Sequence, residues 1–201
     1  MKKILFMLPL LTVALVSCNK DNGDELSGDD IIQFKDQNFL NMLLFYPSLE
    51  DIVIDTNSDE QISVKEAEAM TYLYLNILEN EPYYEISNID EIKYFTSLTG
   101  LECLFQSVAT ADLSYNTLLT EAYFEGSKLT SINVSKCPQL KTLDVLDNNL
   151  SSLDVSKNAN LEDLWCSGNP LETLTISESQ RNASWLNNVK AEYPDIEIIV
   201  K

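Results

Sequence analysis

The chain has 201 residues, 45% of them hydrophobic, and its 13 basic and 32 acidic side chains give a formal charge of −19. This length and composition suit one folded domain and argue against general disorder. The negative charge excludes nucleic acid and anionic lipid headgroups as partners and favours a divalent cation or a basic partner. Histidine is absent and glycine occurs five times, and no G-x-S-x-G, HExxH or phosphate-cradling motif is present, so common enzyme signatures are missing.

The first residues have the pattern of an export signal. Lys2 and Lys3 precede an apolar run over residues 4–16, and Ser17 and Cys18 follow. The run is too short to span a bilayer as a helix. Its end, Leu-Val-Ser-Cys, resembles the bacterial lipobox, which implies a lipoprotein signal peptide over residues 1–17 and lipid attachment to Cys18. The alternative is an ordinary cleaved signal followed by a chance cysteine.

Residues 18–31 are polar and acidic and predict a flexible tether. Acidic residues soon after the cysteine are similar to the surface-export signal of Bacteroidetes lipoproteins. This similarity implies an outer-membrane lipoprotein of the cell envelope, exposed on the surface and held to the membrane through its lipid anchor only. Residence on the inner leaflet is the alternative.

Apolar residues recur every 21 positions in the second half of the chain. Six apolar columns hold through four units without an insertion. Because a unit of this length cannot bury its own apolar residues, successive units must stack and share one interior. The best defined column consists of Leu101, Ala122, Leu143 and Leu164.

Two of these units carry a recognisable consensus. Leu140–Leu150 matches L-x-x-L-x-L-x-x-N-x-L, and Leu161–Leu171 matches it again with Asn169 at the asparagine position. The pattern resembles leucine-rich-repeat proteins, in particular the 21-residue nested type of Bacteroidetes lipoproteins. It implies a β-rich solenoid with parallel sheets. In the first two units Gln106 and Ser127 replace the asparagine, and a less regular ladder is expected there.

The ends of the repeat array require covers. Residues 32–97 are predicted to be an N-terminal cap, with a helix that carries Phe39, Met42, Leu43 and Tyr46 and a degenerate repeat opening near Leu73. Residues 98–179 are the four repeats. Residues 180–201 are predicted to be a helix-strand cap, in which Trp185, Leu186 and Val189 form a helical face and Ile196, Ile198 and Val200 a final strand.

A twelve-residue stretch in the N-terminal cap resembles the calcium loops of EF-hand and dockerin domains. Residues 55–66 match the spacing of their oxygen ligands. Glu60 occupies the position where these loops have glycine, which predicts a strained turn and weak, structural Ca²⁺ binding. A cap turn with a vestigial ligand set is the alternative. The resemblance implies as ligands Asp55, Asn57, Asp59, the backbone of Gln61, Ser63 and Glu66.

The outward residues of the two strands of each unit differ in character. The second strands carry almost only small and hydroxylated side chains, whereas the first strands combine aromatic and acidic ones. Exposed aromatic residues are over-represented in binding hot spots, although single exposed aromatics also occur on ordinary surfaces. The first strands are therefore the predicted partner-binding face, with Glu102, Tyr123, Glu125, Asp144 and Trp165 as its candidate residues.

The cysteines after Cys18 are expected to be buried packing residues. Cys103 and Cys166 share one inward column three units apart, roughly 14 Å at the usual strand spacing, which is too far for a disulfide. Cys137 is aligned with Asn116 and Asn158 on a bend.

The sequence as a whole predicts a binding module, not an enzyme, whose partner is an unknown protein or glycan. A structural surface protein without a ligand is one alternative. A carboxylate-based glycan hydrolase is another, and it would need two acids at a defined separation in a cleft.

Overall fold

A computed structural model of the chain describes residues 26–45, 53–76 and 85–201. Cys18, most of the predicted tether and Tyr46 lie outside the described residues. The helices and strands follow in the order α1 (Gln37–Phe45), α2 (Val64–Glu68), β1 (Tyr72–Tyr74), β2 (Gly100–Glu102), β3 (Thr110–Asp112), β4 (Glu121–Tyr123), β5 (Ser131–Asn133), β6 (Thr142–Asp144), β7 (Ser152–Asp154), β8 (Asp163–Trp165), β9 (Thr173–Ile176), α3 (Ser184–Glu192) and β10 (Glu197–Val200). Two 3₁₀ helices cover Asp90–Tyr94 and Glu178–Asn182.

The first strands of the units form one parallel sheet, which we call the front sheet, in the order β1-β2-β4-β6-β8. Leu101 pairs with Ala122, Ala122 with Leu143, and Leu143 with Leu164. The predicted 21-residue register is therefore confirmed. Strand β1 adds a fifth member in which Leu73 pairs with Leu101, so the degenerate unit is longer than the others and still in register.

The second strands form the other face of the coil, which is divided between two smaller parallel sheets, β3-β5 and β7-β9-β10. The apolar columns from both faces meet in one buried core that extends without a break from the N-terminal cap to α3. Each strand contributes one or two inward residues, because a strand of three residues alternates its side chains between the core and the surface.

A ladder of polar side chains satisfies the backbone at the bend after each front strand. Asn148 donates to the carbonyl oxygens of Phe124 (2.7 Å), Val145 (3.1 Å) and Leu146 (2.9 Å) and accepts from the Leu129 N–H (2.8 Å). A less regular ladder was expected where Gln106 and Ser127 replace asparagine, but both side chains bond to the backbone and continue the ladder. Gln106 donates to the Leu75 carbonyl at 2.8 Å and accepts from the Ile86 N–H at 2.7 Å, and Ser127 donates to the Cys103 carbonyl.

The bends on the second face carry a ladder of their own. Asn116 donates to the carbonyl oxygens of Ile92 and Phe95, both at 2.9 Å. Asn158 donates across one unit in the same way, and Gln180 continues the series into the C-terminal cap. Cys137 occupies the rung between the two asparagines, and its thiol donates to the Leu113 carbonyl at 3.4 Å.

Both caps contain the predicted apolar faces. Phe39, Met42 and Leu43 are buried in α1. In the C-terminal cap, α3 buries Trp185, Leu186 and Val189, and β10 extends the second face by pairing with β9.

The tether prediction was wrong at its C-terminal end. Residues 26–31 belong to the cap, because the Gly28 carbonyl accepts the Lys65 N–H (2.7 Å) and the Asp30 carbonyl accepts the Val64 N–H (3.0 Å). Ile31 forms an antiparallel bridge with Ser63. Polar composition predicted a tether here, but these contacts are made by backbone groups, which composition does not reveal.

Candidate functional site

Five outward residues, each the last residue of its strand, form a continuous row across the front sheet. Their registered neighbours are Tyr74 and Glu102, then Glu102 and Tyr123, then Tyr123 and Asp144, and finally Asp144 and Trp165. Aromatic and acidic side chains thus alternate strictly, and we call this set the front row. Four of its members were predicted. Tyr74 was missed because the longer degenerate unit places it outside the 21-residue spacing.

The acidic residues of the front row are held by neutral donors. The Tyr72 hydroxyl and the Asn76 amide donate to the Glu102 carboxylate at 3.0 and 2.8 Å. The ring of Tyr72 lies directly above Gly100, where a Cβ atom would come within 2.0 Å of it. A glycine is therefore needed at position 100 for Tyr72 to reach Glu102.

Asp144 is the most enclosed acid of the front row. The residue is only 8% exposed, and Oδ1 accepts the Leu146 N–H at 2.9 Å. Burial raises the pKa of this carboxyl above its ordinary value, and repulsion from Glu125 and Asp147 adds to the rise, while the hydrogen bond from Leu146 opposes it. A cation placed against this carboxyl group would stabilise its charged form.

The ion pairs among the described residues do not neutralise the charge of the front row. In the described part of the chain, the ion pairs lie elsewhere and none includes a residue of the front row. Tyr123 donates to Glu121 at 3.0 Å. Burial and this acidic neighbour raise the pKa of Tyr123 to about 12, so the phenol stays neutral at neutral pH.

An exposed aromatic side chain beside the front row was not predicted. Phe105 is 56% exposed and has a left-handed backbone, with φ of 56°. Its ring covers Gly126, where a Cβ atom would lie 2.7 Å from the ring. A bulky residue in this conformation is uncommon and strained. The sequence signal for this left-handed bend was the glycine at two of the four positions of its column. All four of these residues have positive φ in the structure, namely Phe105, Gly126, Asp147 and Gly168.

The second face has a different chemistry. Its outward residues bond to one another and to the backbone, as where Asn133 donates to Asp112 at 2.8 Å. Asp154 is paired with Lys201 at 2.8 Å. This face is therefore largely satisfied within the chain and serves as an internal comparison for the front sheet.

The predicted calcium loop adopts the expected tight turn. Asp55 accepts the N–H groups of Asp59 (3.2 Å) and Glu60 (2.9 Å). Glu60 has the left-handed backbone that its position requires, with φ of 61°. Asn57 and Asp59 each accept the N–H two residues ahead, from Asp59 (3.0 Å) and Gln61 (2.9 Å) respectively.

Glu66, the predicted bidentate ligand, is hydrogen-bonded through both carboxylate oxygens. Oε1 accepts from the N–H (2.8 Å) and hydroxyl (2.7 Å) of Thr56, and Oε2 from the N–H (3.0 Å) and hydroxyl (2.8 Å) of Ser63. Over residues 26–45, 53–76 and 85–201, no three His, Cys, Asp or Glu side chains converge as a metal site would require. A calcium ion would therefore have to draw Glu66 away from these donors.

Comparison with known proteins identifies the fold. No protein-family model matches the chain, and no characterised protein is similar to it in sequence. Among solved structures, the functional domain of InlJ from Listeria monocytogenes, described as including a cysteine ladder, matches with a TM-score of 0.50 and 23% identity over 76% of this chain. The chain is a leucine-rich-repeat solenoid. It spans 39% of the length of the matched InlJ chain.

The three described cysteines of the solenoid are free and buried. Burial raises the pKa of Cys103 and Cys166 to about 12 and that of Cys137 to about 11. These thiols are therefore protonated at neutral pH and inert, because the thiolate is the reactive form. None of them is a candidate catalytic nucleophile.

No helix among the described residues of the solenoid is long and apolar enough to cross a membrane. Cys18, the predicted lipid-attachment residue, belongs to the segment that the structure does not describe.

Proposed function

We propose that the solenoid is a membrane-anchored, surface-exposed binding module that engages a protein or glycan partner through the front row. The observation that carries this proposal is the alternation of aromatic and acidic residues on one open sheet face. Trp165 lies on β8 at the edge of the front sheet and is 45% exposed. Large aromatic side chains are over-represented among binding anchors.

Phe105 and Glu125 extend the proposed binding surface beyond the front row. The Phe105 N–H donates to the Glu125 carbonyl at 2.8 Å, so the two residues lie on neighbouring turns that follow β2 and β4. The strained backbone and exposed ring of Phe105 both disfavour the folded state. A contact between Phe105 and a partner would account for an exposed, strained aromatic residue at this position.

The enzyme alternative would rest on Asp144 and Glu125. The raised pKa of Asp144 suits a general acid, but a glycan hydrolase also needs a cleft around the scissile bond, and these carboxylates lie on an open sheet face. A described cavity of about 160 Å³ in the N-terminal cap is lined by Ile, Gln, Phe and Leu side chains and has no acid. The geometry therefore favours binding over turnover.

Photocrosslinking in cells that produce the protein tests the proposed surface. A photoreactive amino acid at Thr142, on the front sheet, should form covalent adducts, whereas the same probe at the exposed Ser152 of the second face should not. Adding Tyr123→Ala and Trp165→Ala should abolish the Thr142 adduct with little change in melting temperature, since both residues lie largely outside the core. Equal adducts at both positions, or none at either, would instead favour a structural protein without a dedicated ligand.

Anchoring through Cys18 has a separate test. The wild-type protein should fractionate with the outer membrane and be digested when protease is added to intact cells, because several acyl chains hold a protein stably at a bilayer. Cys18→Ser should be released into the soluble fraction. Protection of the wild type from protease in intact cells would contradict surface exposure and place the protein on an inner leaflet.

We also propose that residues 55–66 form a weak structural calcium site. The shape of the turn supports this proposal, because Asp55 already closes it and Glu60 already has the left-handed backbone. Competition with the donors to Glu66 would keep the affinity low, in the range of about 10⁻⁴–10⁻³ M that is found for extracellular modules. Bound there, calcium would stiffen the loop that pairs with Ile31 and so fix the base of the tether.

A further inference from the structure

The front row has a spacing that a ligand would have to match. Neighbouring strands in a sheet lie about 4.8 Å apart. Glu102 and Asp144 are separated by one strand, β4, so their backbone positions recur at roughly 9.6 Å along the solenoid axis. Tyr74, Tyr123 and Trp165 recur at the same interval, displaced by one strand.

Asp144 also indicates the charge of the ligand. The residue is only 8% exposed, and the one described hydrogen bond to its carboxylate comes from the neutral Leu146 N–H. Tyr123 and Trp165 flank it on both sides. A carboxylate between two aromatic rings can bind an ammonium or guanidinium group by direct charge attraction and by cation–π contacts to the rings.

We propose that the partner of the front row is an extended cationic protein segment that runs along the solenoid axis with a Lys or Arg at every third residue. A polyproline II helix advances about 3.1 Å per residue and repeats every three residues, so such side chains recur at about 9.3 Å. This repeat matches the spacing of Glu102 and Asp144. The inference rests on the proposed binding function and specifies the chemistry of its partner.

A specific site on the front row would differ from the general negative charge of the chain in what it requires of a ligand. An acidic protein attracts any basic peptide, but that attraction depends on net charge and not on where the charges lie. A site built on the front row depends on both the position of the acids in the protein and the spacing of the cations in the peptide. The experiment therefore varies each of these separately.

The probes are two peptides of the same composition and one of opposite charge. The first contains four Lys-Pro-Pro triplets, the second has the same lysines and prolines in separate blocks, and the third contains four Glu-Pro-Pro triplets. Calorimetric titration gives the affinity, and the fluorescence of the exposed Trp165 reports contact at the front row, since the other tryptophan, Trp185, is buried. We expect the triplet lysine peptide to bind about tenfold more tightly than the block peptide and to change the Trp165 signal.

Two double variants remove the same number of charges from opposite faces. Glu102→Gln with Asp144→Asn should weaken binding of the triplet lysine peptide about tenfold or more, because two specific charge contacts are lost. Asp112→Asn with Asp154→Asn is the matched control on the second face and should change the affinity less than about twofold, through net charge alone. Circular dichroism of both variants checks that the solenoid stays folded.

Several results would overturn the inference. Equal affinities of the two lysine peptides, equal losses in the two double variants, or no binding of either peptide at millimolar concentration would each do so. Binding of maltoheptaose to the front row without peptide binding would indicate a glycan partner. In each case, crosslinks at Thr142 that are absent at Ser152 would still support the proposed function, so the two failures remain distinguishable.

Discussion

Replacing Asn148 with alanine should lower the free energy of unfolding by about 3 kcal/mol, which is large for a single polar side chain. Asn148 bonds four backbone groups at the bend after β6. The carbonyls of Phe124 and Val145 keep another donor when it is removed. The Leu129 N–H has Asn148 as its described acceptor and would be left buried and unpaired, which makes the loss exceed that of an ordinary hydrogen bond.

Asn149→Ala provides the matched control, since this neighbouring amide is exposed and its backbone N–H bonds to the Leu129 carbonyl (2.7 Å) without help from its side chain. Its effect should stay within about 0.5 kcal/mol. Denaturant unfolding of both variants, followed by circular dichroism, measures the difference. Similar losses in the two variants would mean that the polar ladder contributes little to stability.

The fold was predictable from the sequence because the repeat interval fixes which residues pair on neighbouring strands. Leu101, Ala122, Leu143 and Leu164 recur at a fixed interval, and a stacked coil with one interior accounts for that recurrence. The unit that contains β1 was only partly predicted, because its extra residues break the interval. The regularity of the polar ladder was underestimated, because only asparagine was counted as a ladder residue. Gln106 and Ser127 also supply the hydrogen-bond donor that the bend requires.

The candidate site was predictable as a face but not in detail. Strand alternation gives the direction of Glu102, Tyr123, Asp144 and Trp165, because it depends only on position. The enclosure of Asp144 depends on the packing of its neighbours. The exposure of Phe105 depends on a left-handed bend, and aromatic residues rarely adopt that conformation. Local sequence patterns do not reveal the enclosure of Asp144, whereas the glycines at positions 126 and 168, in the column of Phe105, were a signal for the left-handed bend.

Replacing Glu66 with glutamine should destabilise the N-terminal cap by about 2–3 kcal/mol near neutral pH. Burial raises the pKa of Glu66, but the hydrogen bonds from Ser63 and Thr56 outweigh it and lower the pKa from 4.5 to about 2. Glu66 is 7% exposed, so solvent screens these hydrogen bonds little. A glutamine would present an N–H₂ group to donors that require an acceptor.

The acid dependence follows from the direction of this pKa shift. Because the native pKa lies below the unfolded value, the stabilisation is fully present above about pH 5 and is lost as the pH falls through 4.5 towards 2. Unfolding curves of the wild type should therefore approach those of Glu66→Gln across this range when both are measured in a chelator. Glu68→Gln, at an exposed position two residues later, should keep the acid dependence of the wild type. A constant difference between wild type and Glu66→Gln down to about pH 2 would show that the carboxylate charge is not what the loop requires.

The same variant tests the proposed calcium site. With a dissociation constant of about 10⁻⁴–10⁻³ M, calcium at about 10 mM should stabilise the wild type by roughly 1.4–2.7 kcal/mol. Glu66→Gln should lose this response, because it replaces the bidentate carboxylate, and magnesium should have a smaller effect, because it demands a stricter octahedral geometry. If calcium leaves the melting temperature of the wild type unchanged while the acid dependence of Glu66 remains, the hydrogen bonds to Thr56 and Ser63 hold the loop in place of a metal.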